Sequence, residues 1–248
     1  MTHRVEHVMG MPVVVEARGE SPFDAVFNWL RFVDGLFSTY RDESQISRIN
    51  RGELAVARAH PLVREVLDRC EELRRETGGY FDARAASPHW LDPSGLVKGW
   101  AVDRAAAILD EAGVAEFAIS AGGDMRLRGT WRVGIQHPRL RDRIAAALEL
   151  TGLAIATSGA YARGEHVLDP HTGRPPAGIL SVTIVGPELA AADAYATAAF
   201  AMGSAGPEWT ARLAGYEAMT VLAGDVVVTT PGFRRLQSAA ARAISSVG

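Results

Sequence analysis

The chain has 248 residues, of which 48% are hydrophobic, 7% aromatic and 22% charged, and its formal net charge is −3 at pH 7. That length and apolar content support a sizeable core and exclude a disordered, collagenous or fibrous chain. The weak negative charge gives no field favouring nucleic acid or an anionic membrane, and no apolar run approaches the roughly 20 residues of a membrane span. The single cysteine, Cys70, excludes an internal disulfide and a cysteine-based metal cluster. Residues 1–6 alternate polar and apolar and contain no signal-peptide core, so the expected location is cytoplasmic.

In chain order, Arg4 to Val8 and Pro12 to Ala17 read as strands around Met9-Gly10-Met11. Ser21-Pro22 reads as a helix start, with Ser as N-cap and Pro at the first helical position. Val26, Phe27, Leu30, Val33, Leu36 and Phe37 then follow a helical period. A second helix spans Pro61 to Thr77, with Cys70 on its apolar face and Gly78-Gly79 as its stop. A third is expected from Trp100 to Ala112, closed by Gly113. Short strands follow at 116–120, 125–128, 131–136, 147–151, 154–157 and 179–185. Pro187 to Met202 reads as an Ala-rich helix and Pro207 to Leu213 as a shorter one. Glu217 to Leu222 and Val226 to Thr229 pair around Ala223-Gly224-Asp225. Strands interleaved with helices, without strict βαβ alternation, predict one α+β domain with a mostly antiparallel sheet.

Four segments carry chemistry. In Asp92-Pro93-Ser94-Gly95-Leu96-Val97-Lys98-Gly99, a glycine-bearing turn before a helix offers backbone N–H groups to a phosphate, with Lys98 as a point charge. All but one of the 26 basic residues are Arg, and Lys98 is the exception. The alternative is a loop with a surface lysine. In Ser120-Ala121-Gly122-Gly123-Asp124, paired glycines allow close approach of a ligand to the backbone, or simply form a tight turn. The spacing is not the GxGxxG of a dinucleotide fingerprint, which disfavours a nicotinamide oxidoreductase.

The third segment is His166-Val167-Leu168-Asp169-Pro170-His171-Thr172-Gly173. His166 is the best general-base candidate, since imidazole titrates near neutrality, and His171 falls in the turn itself. Its alternative is a structural histidine. In the fourth, Asp193 and Thr197 share a face of an otherwise apolar helix, with no basic residue within seven positions of Asp193. A buried carboxylate needs a partner, and a carboxylate with a hydroxyl suits a hard cation such as Mg²⁺. The alternative is an ion pair with a distant Arg.

These segments, taken with MGM at 9–11, YRDESQISRIN at 40–50, TGGYFDA at 77–83, DPSGLVKGWAVD at 92–103, SAGGDMRLRG at 120–129, ATSGAY at 156–161, HVLDPHTG at 166–173 and DAYATAAFAMG at 193–203, resemble the flavin transferase family known as ApbE. Eight stretches in order span nearly the whole chain. The resemblance implies a single α+β domain over 1–248, related to the T-fold, with helices packed on a mostly antiparallel sheet. It implies a Mg²⁺-dependent FAD:protein FMN transferase, which cleaves the FAD diphosphate, releases AMP and attaches FMN through a phosphodiester to a threonine of a target flavoprotein.

The implied metal ligands are the Asp193 carboxylate, the Thr197 hydroxyl and the Val97 carbonyl, and the implied catalytic residues are His166, as base, and Lys98. The implied flavin-nucleotide site takes in Met9, Gly10, Ser44, Ile46, Ser47, Asn50, Lys98, Asp103, Gly122, Gly123, Asp124, Ser158, Gly159 and His166. Met11, Ser120, Ala160 and Glu165 depart from the residues usual in the family at those positions. An FAD pyrophosphatase giving FMN and AMP, with water as acceptor, and a non-catalytic FAD-binding protein remain open, because the acceptor is not in this chain.

Overall fold

The computed structural model describes residues 1–85, 87, 89–140, 142–159 and 167–238. Strands β1 (Thr2–Val8) and β2 (Met11–Ala17) form an antiparallel hairpin in register Val8↔Met11. Its two turn residues, Met9 and Gly10, both have positive φ (54° and 72°), the mirror-type turn that matches strand twist. β2 buries Met11, Val13, Val15 and Ala17 in strict alternation.

Helix α1 (Phe23–Phe37) buries the six apolar residues that its period picks out. Its start differs from expectation: Pro22, rather than Ser21, is the flanking residue, and no side chain caps it. Helix α2 (Gln45–Asn50) is short and capped by Ser44. Helix α3 (Pro61–Glu76) begins with its proline and stops before Gly78 and Gly79, both left-handed at φ 62° and 89°. Cys70 lies inside, 5% exposed.

Helix α4 (Ser94–Glu111) begins six residues before the expected Trp100, so 94–99 is helix and not a phosphate-cradling turn. The reason is tertiary. A Cβ on Gly99 would lie 2.6 Å from the Leu189 carbonyl oxygen, so this glycine serves a close helix–helix approach.

Strands β3 (Phe117–Ala121), β4 (Asp124–Arg128), β5 (Thr130–Gln136), β6 (Ile144–Thr151), β7 (Ala154–Gly159) and β8 (Ile179–Gly186) follow. Helices α5 (Leu189–Ala201) and α6 (Gly206–Thr210), strands β9 (Glu217–Leu222) and β10 (Val227–Thr229), and a final turn of helix α7 (Phe233–Leu236) complete the described chain. One eight-stranded sheet runs β1-β2-β3-β4-β7-β8-β9-β10 with every described pairing antiparallel, while β5 and β6 pair separately.

Alternation along the strands sends side chains to two cores. On one face Phe117, Ile119, Val182 and Ile184 pack with Phe27, Leu30, Leu73, Leu96 and Leu189 of the helices. On the other, Leu127, Val185, Met219 and Val221 pack with Leu148 and Leu150 of β6 and Phe233 of α7. Each fully buried side chain of this size contributes about 1.5–3 kcal/mol. Among the described residues no helix is long and apolar enough to cross a membrane.

Candidate active site

Antiparallel pairing brings three distant loops to one end of the large sheet. The Met9-Gly10 turn follows β1, the Gly122-Gly123 turn links β3 to β4, and Ser158-Gly159 ends β7. Register ties them together: Val13 faces Ala121, Ala121 faces Asp124, and Gly159 faces Ser181. The Gly122 N–H donates to the Pro12 carbonyl at 3.4 Å, so the first two turns adjoin. Gly122 and Gly123 have φ of 59° and 100°, a two-residue hairpin that leads into a strand.

Three charged side chains meet inside, over the helix-covered face. Lys98 comes from α4, Asp124 from β4 and Asp193 from α5. The Lys98 ammonium pairs with Asp124 Oδ2 and lies 3.3 Å from Asp193 Oδ1. Asp124 is 2% exposed and Asp193 4%. Burial alone would lower the Lys98 pKa. Asp193 and then Asp124 outweigh it and raise the pKa, so the lysine is held protonated. The Asp124 Oδ1 atom accepts the Thr157 N–H at 2.8 Å, and the Thr157 and Thr183 hydroxyls bond at 2.9 Å. The Ser158 and Thr197 hydroxyls lie 3.4 Å apart, joining β7 to α5 beside the cluster.

Among the described residues no three His, Cys, Asp or Glu side chains are grouped to hold a metal ion. The implied ligands are of another composition: one carboxylate, one hydroxyl and one carbonyl, all oxygen. That donor set fits a hard cation that keeps waters and phosphate oxygens as its other ligands. Val97 lies within α4 next to Lys98, 6% exposed.

Other expected site residues have local partners. Asp103 accepts the N–H groups of Leu189 at 3.1 Å and Ala190 at 2.8 Å, with Arg126 Nε 3.4 Å away, so it caps α5 from α4. Burial raises its pKa, partly offset by those N–H groups and Arg126. Ser44 caps α2 by accepting the Ser47 N–H at 3.0 Å, and Ser47 donates to the Ser38 carbonyl at 3.2 Å. Asn50 clamps the Leu91 backbone twice, donating to its carbonyl at 2.9 Å and accepting its N–H at 2.8 Å. Ile46 is fully buried. Asn50 thereby ties the end of α2 to residue 91, just ahead of α4. His171 Nε2 meets the Gly78 carbonyl at 3.1 Å and its ring stands edge-on to Tyr80, tying turn 169–173 to the end of α3. His166, Ala160 and Glu165 lie outside the described residues.

The Thr157–Thr183 pair beneath Asp124 has no counterpart in the sequence reading. The adjacent Thr-Ser of β7 carries no local signal for it, because the partner is 26 residues away. A cleft of about 550 Å³, lined by Asp169, Arg174, Met202 and Ser204 among others, opens at the far end of α5. It sits about 12 Å along the helix from Asp193, at a rise of about 1.5 Å per residue.

The chain is 34% identical over 131 residues to the FAD:protein FMN transferase of Salmonella typhimurium, a stretch covering 46% of this chain and 37% of that protein. It is 32% identical over 165 residues to the Vibrio cholerae enzyme of the same name, covering 60% and 48%. The aligned part therefore spans less than half the length of these curated relatives. The crystal structure of the ApbE protein of Thermotoga maritima has the same fold, with a TM-score of 0.85 at 22% identity over 96% of this chain and 99% of that one. The apo flavinyl transferase ApbE of Pseudomonas stutzeri gives 0.82 at 25% identity over 96% and 97%. Residues 9–90 and 84–220 match the model of the ApbE family, and the chain belongs to that family.

Proposed function

We propose that this chain is a Mg²⁺-dependent FAD:protein FMN transferase, acting on FAD and on a threonine of a target flavoprotein, with AMP as the second product. The observation that carries this reading is the buried Lys98–Asp124–Asp193 cluster at the sheet end where the glycine turns converge. The names of the curated relatives support it.

Asp193, Thr197 and the Val97 carbonyl would hold Mg²⁺, which supplies charge neutralisation for the diphosphate. Lys98, fixed as an ammonium, offsets charge on the phosphate oxygens as the transition state forms. The Gly123 backbone and the Ser158 hydroxyl orient the nucleotide so that attack is in line. His166 takes the proton from the threonine hydroxyl. The threonine oxygen bonds to the phosphorus on the FMN side, the P–O bond to the AMP phosphate breaks, and AMP leaves with the bridging oxygen.

The test is incubation with FAD and Mg²⁺, with and without a threonine-bearing acceptor flavoprotein, reading AMP by chromatography and acceptor mass by mass spectrometry. Transfer predicts slow AMP release alone, faster release with acceptor, and a mass gain equal to FMN less water. Rapid free FMN release that ignores the acceptor makes the chain a pyrophosphatase, and tight FAD binding without AMP makes it a carrier.

A further inference from the structure

We infer that Asp103 is a positioning residue: reaching from α4 to the first turn of α5, it sets where α5 holds Asp193 and Thr197 against Lys98. This rests on the reading above, in which Asp193 and Thr197 bind the cation. It places Asp103 in the frame of the site rather than among its contacts with the nucleotide.

Helix α5 opens without a cap of its own. Its flanking residue is Glu188, extended at φ −130° and ψ 133°, and the Glu188 side chain caps no N–H of the first turn. The N–H groups that a local Ser, Thr or Asp would accept go instead to Asp103, 86 and 87 positions away. Leu189 donates to its Oδ1 at 3.1 Å and Ala190 to its Oδ2 at 2.8 Å. Gly99 lies one turn before Asp103 on the same face of α4. A Cβ there would meet the Leu189 carbonyl oxygen at 2.6 Å and the Ala190 nitrogen at 2.8 Å. The same two residues of α5 are therefore approached by Gly99 and gripped by Asp103.

The grip continues into the sheet. Arg126 Nε lies 3.4 Å from Asp103 Oδ1, and Arg126 Nη1 donates to the Gly152 carbonyl at 3.0 Å. Arg126 follows Asp124 by two residues on β4, so the two share a face of the strand. One carboxylate thus joins α4, α5 and β4, the three elements that carry Lys98, Asp193 and Asp124.

Helix geometry gives the consequence. Leu189, Asp193 and Thr197 are spaced by four and form one stripe of α5. Two bonds to adjacent N–H groups at its start fix both the height of the helix and its rotation about its axis. Asp193 and Thr197 lie about 6 Å and about 12 Å further along, so a displacement of the first turn carries to both. Metal ligands tolerate only about 0.2 Å of misplacement. Helix stability alone needs no such reach, since a serine at 188 would supply a cap locally; the bond from α4 adds position.

The test is isothermal titration of the full chain with MgCl₂ alone, paired with thermal unfolding in EDTA. Asp103→Ala should bind Mg²⁺ about tenfold more weakly or worse. Its melting temperature should fall by about 2–6 °C, as for a lost cap. Adding Glu188→Ser gives α5 a local cap, which should recover most of the melting temperature and leave Mg²⁺ binding weak. Asp103→Asn keeps one acceptor oxygen and should fall between wild type and Asp103→Ala in affinity. Should Asp103→Ala fail to fold, the double variant and Asp103→Asn carry the test. Unchanged Mg²⁺ affinity in Asp103→Ala, or a double variant that regains affinity together with melting temperature, makes Asp103 a cap only and overturns the inference while leaving the cation site standing. No Mg²⁺ binding by the wild-type chain contradicts the cation site itself, and the inference with it.

Discussion

The two faces of the large sheet are built to opposite rules. The face under β5, β6 and α7 is apolar, closed by Leu127, Leu148, Leu150, Met219, Val221 and Phe233. The face under α4 and α5 has an apolar core of its own, yet it also encloses Lys98, Asp124 and Asp193. An apolar filling would stabilise that space more than a charged one does. The comparison teaches that one face is arranged for stability, whereas the other spends part of its interior on buried charged groups.

The strongest way to break this contrast is Asp193→Ala. AMP release should fall by at least about a hundredfold. The melting temperature should stay close to wild type; a clear loss of stability would mean that Asp193 is structural. On the apolar face the opposite holds. Leu148→Ala should cost about 2–5 kcal/mol in urea unfolding, with Mg²⁺ affinity of the folded protein unchanged.

Gly99→Ala probes the seam beneath the charged cluster. Its Cβ would meet the Leu189 carbonyl oxygen at 2.6 Å and Ala190 Cα at 2.8 Å, so α5 must shift. We expect a loss of about 1–3 kcal/mol and, unlike Leu148→Ala, weaker Mg²⁺ binding, because Asp193 rides on α5. Asn50→Ala removes both bonds to Leu91 and should cost ~1–2 kcal/mol, read by the same unfolding titration.

The smallest effect concerns Cys70, whose burial pushes its thiol pKa up to about 12. A folded pKa above the unfolded value means that the native state holds its proton longer. This contribution to stability is intact below the unfolded thiol value of about 8.5 and declines as pH rises toward the folded value. In the folded chain at pH 8 a disulfide-exchange reagent should label Cys70 slowly, and fully only after denaturation.

How much of this was legible in the sequence follows from the range of each interaction. The periods of α1 and α3, and the β9–β10 hairpin around its glycine, are local and read correctly. The start of α4 did not, because Pro93, Gly95 and Gly99 look like loop punctuation; Gly99 is a contact with residues 189 and 190. The expected cap at Ser21 failed by one position. Lys98 stood out by composition alone, but its carboxylate partners are 26 and 95 positions away, and no local pattern announces them. The motif around Ser44, Ser47 and Asn50 was visible as a pattern, whereas its cap and its clamp on Leu91 needed the fold. Asp103 and its cap across to α5, 86 residues away, fall in the same class.

The most direct measurement is anomalous diffraction from crystals grown with FAD and Mn²⁺ in place of Mg²⁺. A peak within about 2.0–2.3 Å of an Asp193 oxygen and the Thr197 hydroxyl, with Lys98 still on Asp124 and the diphosphate alongside, is the result expected here. FAD bound with the metal absent from Asp193, or held by other residues, would contradict it.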